Sequence, residues 1–273
     1  MSTLIAPEEL SADHRLFDVR MGPDAADAYR AGHLEGAHFV DVEVDLTGDA
    51  TDPSHGGRHP LPSLKAWTET LGKLGVGPDT PVVAYDASDG AKAAARFWWM
   101  LRAVGHTEVW VLDGGLAAAT AAGHALTADV PTRLPLPPYP ATAWQMGRAS
   151  IEEVEAALTE GRGLLIDVRA RHRFEGRDEP FDPPGGHIPG AVCAPLTEHL
   201  GADGRFEPRG ALRARYAALL GDTAMEEVVV SCGSGITACH TLLALEHAGL
   251  TGAKLYVGSY SEWSRSGRPT ERS

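Results

Sequence analysis

Leu16-Phe-Asp-Val-Arg20 recurs later in the chain as Leu165-Ile-Asp-Val-Arg169. Gly32-His-Leu-Glu-Gly-Ala37 recurs as Gly186-His-Ile-Pro-Gly-Ala191, and Pro81-Val-Val-Ala-Tyr85 has a counterpart in Glu227-Val-Val-Val-Ser231. Val111-Leu-Asp-Gly-Gly115 matches Leu255-Tyr-Val-Gly-Ser259. Matches in one order and at nearly constant spacing indicate a duplicated unit of about 130 residues. Between the copies lies Pro131-Thr-Arg-Leu-Pro-Leu-Pro-Pro-Tyr-Pro140. Its proline density forbids both helix and central strand, so an extended, semi-rigid linker is expected. The expected organisation is a first domain over 1–130, a linker over 131–143 and a second domain over 144–273.

Within each copy, short apolar runs alternate with helical patterns. Leu164-Leu-Ile-Asp-Val168 and Val228-Val-Val230 read as buried strands. Thr237 to Ala248 places Ala238, Leu242, Leu245 and Ala248 on one helical face, and Ala93 to Val104 does the same with Ala94, Phe97, Trp98 and Leu101. Strands alternating with helices predict an α/β fold in each copy, a mainly parallel sheet covered by helices on both faces. Ligands of such sheets bind beyond the carboxyl ends of the strands. The turn after Val228-Val-Val230 is therefore the place to look for chemistry.

Composition narrows the function. The chain has 273 residues, 43% hydrophobic and 22% charged, with a formal net charge of -13. That field repels a phosphate backbone, and no Lys/Arg run offsets it, so no nucleic-acid partner is expected. No apolar run approaches the length of a membrane span, and Met1 to Leu10 lacks the basic and apolar regions of a signal peptide. A cytoplasmic protein is the expectation. The cysteines, Cys193, Cys232 and Cys239, are odd in number and too few for a disulfide framework. None forms a Cys-x2-Cys pair, and no HExxH pattern occurs, so no metal site is expected.

Cys232 stands in Ser231-Cys-Gly-Ser-Gly-Ile-Thr-Ala-Cys239, between a strand and a helix. Glycines at 233 and 235 let successive N–H groups point at one spot, and the dipole of the following helix faces the same spot. A sulfur anion there is favoured over the thiol. As a plain buried hydrophobe Cys232 would leave the Gly-Ser-Gly loop without purpose, whereas Cys193 and Cys239 fit that description. Two chemistries use such a loop. Phosphate-ester cleavage by a Cys-x5-Arg loop needs an arginine to clamp the phosphoryl group, and Ala238 stands at that position. Sulfur transfer needs only the amide cradle around a persulfide.

These residues carry a resemblance. The chain resembles the tandem-domain rhodanese family of sulfurtransferases over nearly its whole length. Cys232-Gly-Ser-Gly-Ile-Thr237 resembles the 3-mercaptopyruvate sulfurtransferase branch, since the thiosulfate branch typically carries Arg and Lys in that loop. Gly186-His-Ile-Pro-Gly190, Gly258-Ser-Tyr-Ser-Glu-Trp263, Tyr85-Asp-Ala-Ser-Asp-Gly90 and Trp98-Trp-Met-Leu-Arg102 match as well. The resemblance implies that Cys232 is the persulfide-forming nucleophile. It implies that Gly233, Ser234, Gly235, Ile236 and Thr237 form the cradle, with Ser234 relaying a proton. It matches Arg173 to a donor-binding arginine, for which a planar guanidinium suits a carboxylate. It matches His59, in Arg58-His-Pro-Leu-Pro62, to a residue across a domain interface near the active site, and Glu43 to an acidic partner of that histidine.

The resemblance further implies a silent first copy, because Asp86 stands where Cys232 stands in the second and an aspartate accepts no sulfur. No metal or organic cofactor is implied, and thioredoxin-like proteins are implied as thiol acceptors. There is one departure. The family's second donor arginine has no counterpart in the stretch Arg177-Asp-Glu-Pro-Phe-Asp-Pro-Pro184, where Arg177 is the candidate substitute. The expected activity is transfer of sulfur from 3-mercaptopyruvate, or thiosulfate, to a thiol or cyanide. The alternatives are a thiosulfate-preferring enzyme and a non-catalytic persulfide carrier.

Overall fold

Val, Leu and Ile runs with no polar interruption form strands only where both faces are covered, and the computed structural model shows that arrangement twice. It describes residues 3–87 and 92–273, so the Ser88-Asp-Gly90 end of the motif beginning at Tyr85 lies outside the described residues. Contacts divide the chain into two units. Unit 1 is Met1–Thr47, Pro62–Gln145 and Gly201–Phe206, and unit 2 is Gly48–Leu61, Met146–Leu200 and Glu207–Ser273.

Unit 1 contains β1 (Leu4–Ile5), β2 (Arg15–Arg20), β3 (His33–Leu34), β4 (His38–Asp41), β5 (Val82–Tyr85), β6 (Val109–Leu112) and β7 (Leu126–Thr127). Five of these form a sheet in the order β1-β6-β5-β2-β4, and β3 pairs with β7. Unit 2 contains β8 (Arg148–Ala149), β9 (Leu164–Asp167), β10 (Val192–Cys193), β11 (Val228–Ser231) and β12 (Lys254–Tyr256), in the order β10-β9-β11-β12-β8. Every pairing in the two five-stranded sheets is parallel. Read from the other edge, the second order is the first, so the repeated motifs occupy matching strands.

The recurring Asp-Val-Arg has a structural job in both copies. In unit 1, Nε and Nη2 of Arg20 donate to Asp18 at 2.8 and 2.7 Å, and Nη2 also donates to the Gly32 carbonyl at 2.8 Å. In unit 2, Nη2 of Arg169 donates to Asp167 at 2.7 Å and to the Gly186 carbonyl at 2.8 Å. The histidine after each of those glycines is tied down in the same way. His33 Nδ1 donates to the Tyr29 carbonyl at 2.9 Å, with the two rings stacked at 3.9 Å. His187 Nδ1 donates to the Phe174 carbonyl at 2.9 Å, with those rings stacked at 3.7 Å. Each strand end is thereby latched to the Gly-His turn, and the buried Asp carboxylate and Arg guanidinium partner each other.

One sequence expectation changes on inspection. The helices at Lys92–Arg102 and Ala238–His247 were expected to bury one face, yet Ala93 to Leu101 and Ala238 to Leu245 are buried throughout. They are apolar nearly all round, as befits helices enclosed in the fold. The proline-rich stretch forms neither helix nor strand over 131–143. Leu136 N–H donates to Gly72 O at 2.8 Å and Tyr139 N–H to Thr68 O at 2.9 Å, so the stretch runs along unit 1 as far as Gln145. No helix among the described residues is long and apolar enough to cross a membrane.

Candidate active site

β11 delivers Cys232 to the carboxyl end of the unit 2 sheet, one residue beyond Ser231. The helix Ala238–His247 begins six residues later, with Thr237 at its N-cap position. Cys232 is 1% exposed. The Gly235 N–H donates to its Sγ at 3.1 Å. The amides of Gly233, Ser234, Ile236 and Thr237 make no hydrogen bond to protein among the described residues. Buried amides without partners are costly, and a loop that keeps several of them beside one sulfur is built for an anion.

The loop is held from the far side by Gly258–Ser261. Tyr260 N–H donates to Cys232 O at 3.0 Å and Ser261 N–H to Gly233 O at 2.8 Å. Cys232 N–H donates to Ser259 Oγ at 3.0 Å, and Ser259 Oγ–H donates to Tyr256 O at 2.9 Å. Ser259 takes φ 52°, the one positive φ among described residues other than glycine. Of the two loop glycines only Gly235, at φ 78°, needs left-handed backbone, and an added Cβ would stand 2.3 Å from the Val257 carbonyl oxygen. Gly233 has a different reason. An added Cβ there would stand 3.2 Å from Nη2 of Arg173 and 3.6 Å from Nη2 of Arg58.

His59 and Ser234 meet inside unit 2, with Nδ1 and Oγ 2.7 Å apart and both residues buried. His59 arrives on the segment Gly48–Leu61, which belongs to unit 2. That segment is pinned by Gly56 N–H donating to Glu262 Oε1 at 2.7 Å. Glu43 is an exposed residue of unit 1.

Arg173 is held by Glu179, with Nη2 donating to Oε1 at 2.7 Å and Nε to Oε2 at 3.1 Å. Arg58, whose neighbour His59 alone was singled out in the sequence, is held by Asp182 through Nε and Nη2, each at 3.0 Å. Asp182 is fully buried and also accepts from Arg265 Nη1 at 2.7 Å. Burial alone would raise the Asp182 carboxyl, but Arg58 and Arg265 outweigh it and hold it below the usual range. Both Arg58 and Arg173 lie 5.2 Å from the Phe181 ring centroid. Arg177 does not join them. It is two-thirds exposed and ion-paired with Glu175.

The other cysteines differ from one another. Cys239 is fully buried, and its thiol donates to the Gly235 carbonyl at 3.4 Å. Cys193, expected to be buried, is half-buried at the end of β10, an edge strand, and desolvation raises its thiol pKa. In unit 1, Asp86 occupies the matching position after β5. Leu116 N–H donates to Asp86 O at 3.0 Å, as Tyr260 N–H does to Cys232 O, and the Asp86 carboxylate accepts from Ala94 N–H at 3.1 Å. Ser259, Arg58, Glu179 and Asp182 were given no role from the sequence. For Ser259 a signal was present: the repeat aligns it with Gly115, which has φ 57°.

The family model of the rhodanese-like domain matches this chain twice, over residues 6–122 and 150–266. A Pseudomonas aeruginosa protein named as a probable 3-mercaptopyruvate sulfurtransferase is 44% identical over 241 residues, which is 87% of this chain and 83% of that protein. A Rattus norvegicus thiosulfate sulfurtransferase is 35% identical over 248 residues, 89% of this chain and 81% of that one. The solved structure of a 3-mercaptopyruvate sulfurtransferase from Leishmania major superposes with a TM-score of 0.84 at 29% identity, over 98% of this chain and 75% of that one.

Proposed function

The chain belongs to the rhodanese-like domain family and is a sulfurtransferase, and from that premise we propose that it moves sulfur from 3-mercaptopyruvate to a thiol through a persulfide on Cys232. The observation that carries the reading is the loop of partnerless amides around a sulfur that already accepts from Gly235 N–H at 3.1 Å. The Cys232 thiolate attacks the donor sulfur. The carbon–sulfur bond breaks, and its electron pair stays on the carbon as the enolate of pyruvate. One proton converts the enolate to pyruvate, and Ser234, aligned by His59 at 2.7 Å, is assigned to deliver it. An acceptor thiolate then attacks the outer sulfur, leaving with it and returning Cys232 to its thiolate form. A thioredoxin-like protein is the acceptor this reading favours, and cyanide serves as a small substitute.

Two features support mercaptopyruvate over thiosulfate. The side chains of residues 233–237 carry no charge, whereas a dianion would call for cations inside the loop. The Arg173 guanidinium lies beside Gly233, outside the cradle, where a carboxylate separated from the reacting sulfur by a carbon chain can reach it. The rat relative's name keeps thiosulfate as the competing donor. Treatment with mercaptopyruvate should add about 32 Da to Cys232, one sulfur atom, and Cys232→Ser should abolish turnover. kcat/KM for mercaptopyruvate should exceed that for thiosulfate. No added mass with any donor would end the reading. Loading without turnover would leave a persulfide carrier.

A further inference from the structure

Two guanidinium groups converge on the backbone of Gly233, the residue next to the nucleophile, and they come from opposite parts of the chain. Arg173 lies in the short helix Arg171–Phe174, and Arg58 lies in the segment 48–61. Each is anchored through its Nε–Nη2 edge, Arg173 on Glu179 and Arg58 on Asp182. A guanidinium has five N–H donors. The Nη1 edge of each makes no hydrogen bond among the described residues. Both side chains remain reachable, at 28% and 19% exposure. The anchors are themselves fixed: Glu179 Oε1 accepts from Phe181 N–H at 3.1 Å, and Asp182 is held by Arg265 at 2.7 Å. Four guanidinium groups, Arg58, Arg169, Arg173 and Arg265, face three carboxylates, Asp167, Glu179 and Asp182. One positive charge is left over, the complement of a monocarboxylate.

Resting on the sulfurtransferase reading, we propose that Arg58 is the second donor-binding residue, acting with Arg173 as a guanidinium pair that grips the carboxylate and 2-oxo oxygen of the donor. The pair is preorganised, because each guanidinium is already fixed by its carboxylate through Nε and Nη2. It also sets donor specificity. In thiosulfate the anionic oxygens sit on the sulfur bonded to the transferred atom, whereas in mercaptopyruvate two carbons separate the transferred sulfur from the carboxylate. Cations placed beside Gly233, and not within the loop, favour the second arrangement. Arg177, exposed and paired with Glu175, takes no part.

The test compares Arg58→Met, Arg58→Lys and Arg177→Met with the parent chain, using 3-mercaptopyruvate and inorganic polysulfide as donors. Polysulfide has no carboxylate and reports sulfur loading alone. Arg58→Met should raise KM for mercaptopyruvate at least tenfold, with kcat changed far less. The ratio of mercaptopyruvate to polysulfide efficiency should fall by the same factor, and Arg58→Lys should recover part of it. Asp182 keeps Arg265 in these variants; should Arg58→Met prove too unstable to assay, pyruvate affinity in Arg58→Lys on a Cys232→Ser background decides, with at least a severalfold loss expected. Equal losses with both donors would show a merely structural role, and unchanged KM, or an effect in Arg177→Met instead, would overturn the proposal. If the parent chain takes up no sulfur from polysulfide or mercaptopyruvate, the sulfurtransferase reading fails, an outcome separate from these.

Discussion

At φ 52° Ser259 sits in the left-handed region, where a side chain costs about 1–3 kcal/mol. The hydroxyl is what justifies a serine there, since it accepts from the Cys232 amide and donates to Tyr256 O. Ser259→Gly should relieve the strain yet lower the rate of persulfide formation several-fold, measured by single-turnover loading. The two loop glycines should part company. Gly235→Ala adds a Cβ against Val257 O at positive φ and should cost at least about 1–3 kcal/mol by urea denaturation, with loading impaired. Gly233→Ala meets only the flexible ends of Arg173 and Arg58, so it should act on donor KM with little loss of stability. The Gly-Ser-Gly loop and its cysteine were legible in the sequence because that combination has few uses. Arg58 was not, because an arginine in a polar loop reads as surface until its neighbours are known.

At the scale of elements, the Asp-Val-Arg motif recurs because it closes a strand end onto the Gly-His turn. Asp167 is fully buried and Arg169 nearly so. Asp167→Ala leaves the guanidinium without its main partner and should cost about 3–5 kcal/mol, read as a lower urea midpoint. A second buried cluster ties the turn Leu196–His199 to two helices. Tyr216 O–H donates to His199 Nε2 at 2.7 Å, and the His199 and His240 rings stack at 5.5 Å. Burial, with Arg215 nearby, lowers the His199 pKa to about 3. The unfolded chain therefore binds the proton more readily, so this contribution is complete above about pH 6.5 and is lost as pH falls toward 3. Between pH 7 and 5 the loss should be about 2 kcal/mol, and His199→Gln should flatten that part of the profile. The recurrence of these motifs was visible in the sequence, but their task was not, since an Asp-x-Arg pair serves equally as a latch or as a ligand site.

On the scale of the whole molecule, the contacts do not follow the repeat boundaries. Gly48–Leu61, from the first copy in sequence, belongs to unit 2, and Gly201–Phe206, from the second, belongs to unit 1. A chain starting at residue 146 would thus retain Cys232 and Arg173 but lose His59 and Arg58. Its turnover should fall at least about 100-fold, the scale of a lost proton relay and binding group, even where circular dichroism shows folded α/β structure. Turnover near that of the full chain would remove the role given to the 48–61 segment.

The duplication, the parallel α/β class and the cysteine loop followed from the residues alone, because strand patterns, ordered repeats and glycine-flanked nucleophiles are local signals carried by neighbours in the chain. Which glycine needs its conformation, what the repeated Asp-Val-Arg holds, and which arginines stand beside Gly233 came only with the fold. Those depend on groups distant in sequence and near in space, and side-chain direction and burial decide them.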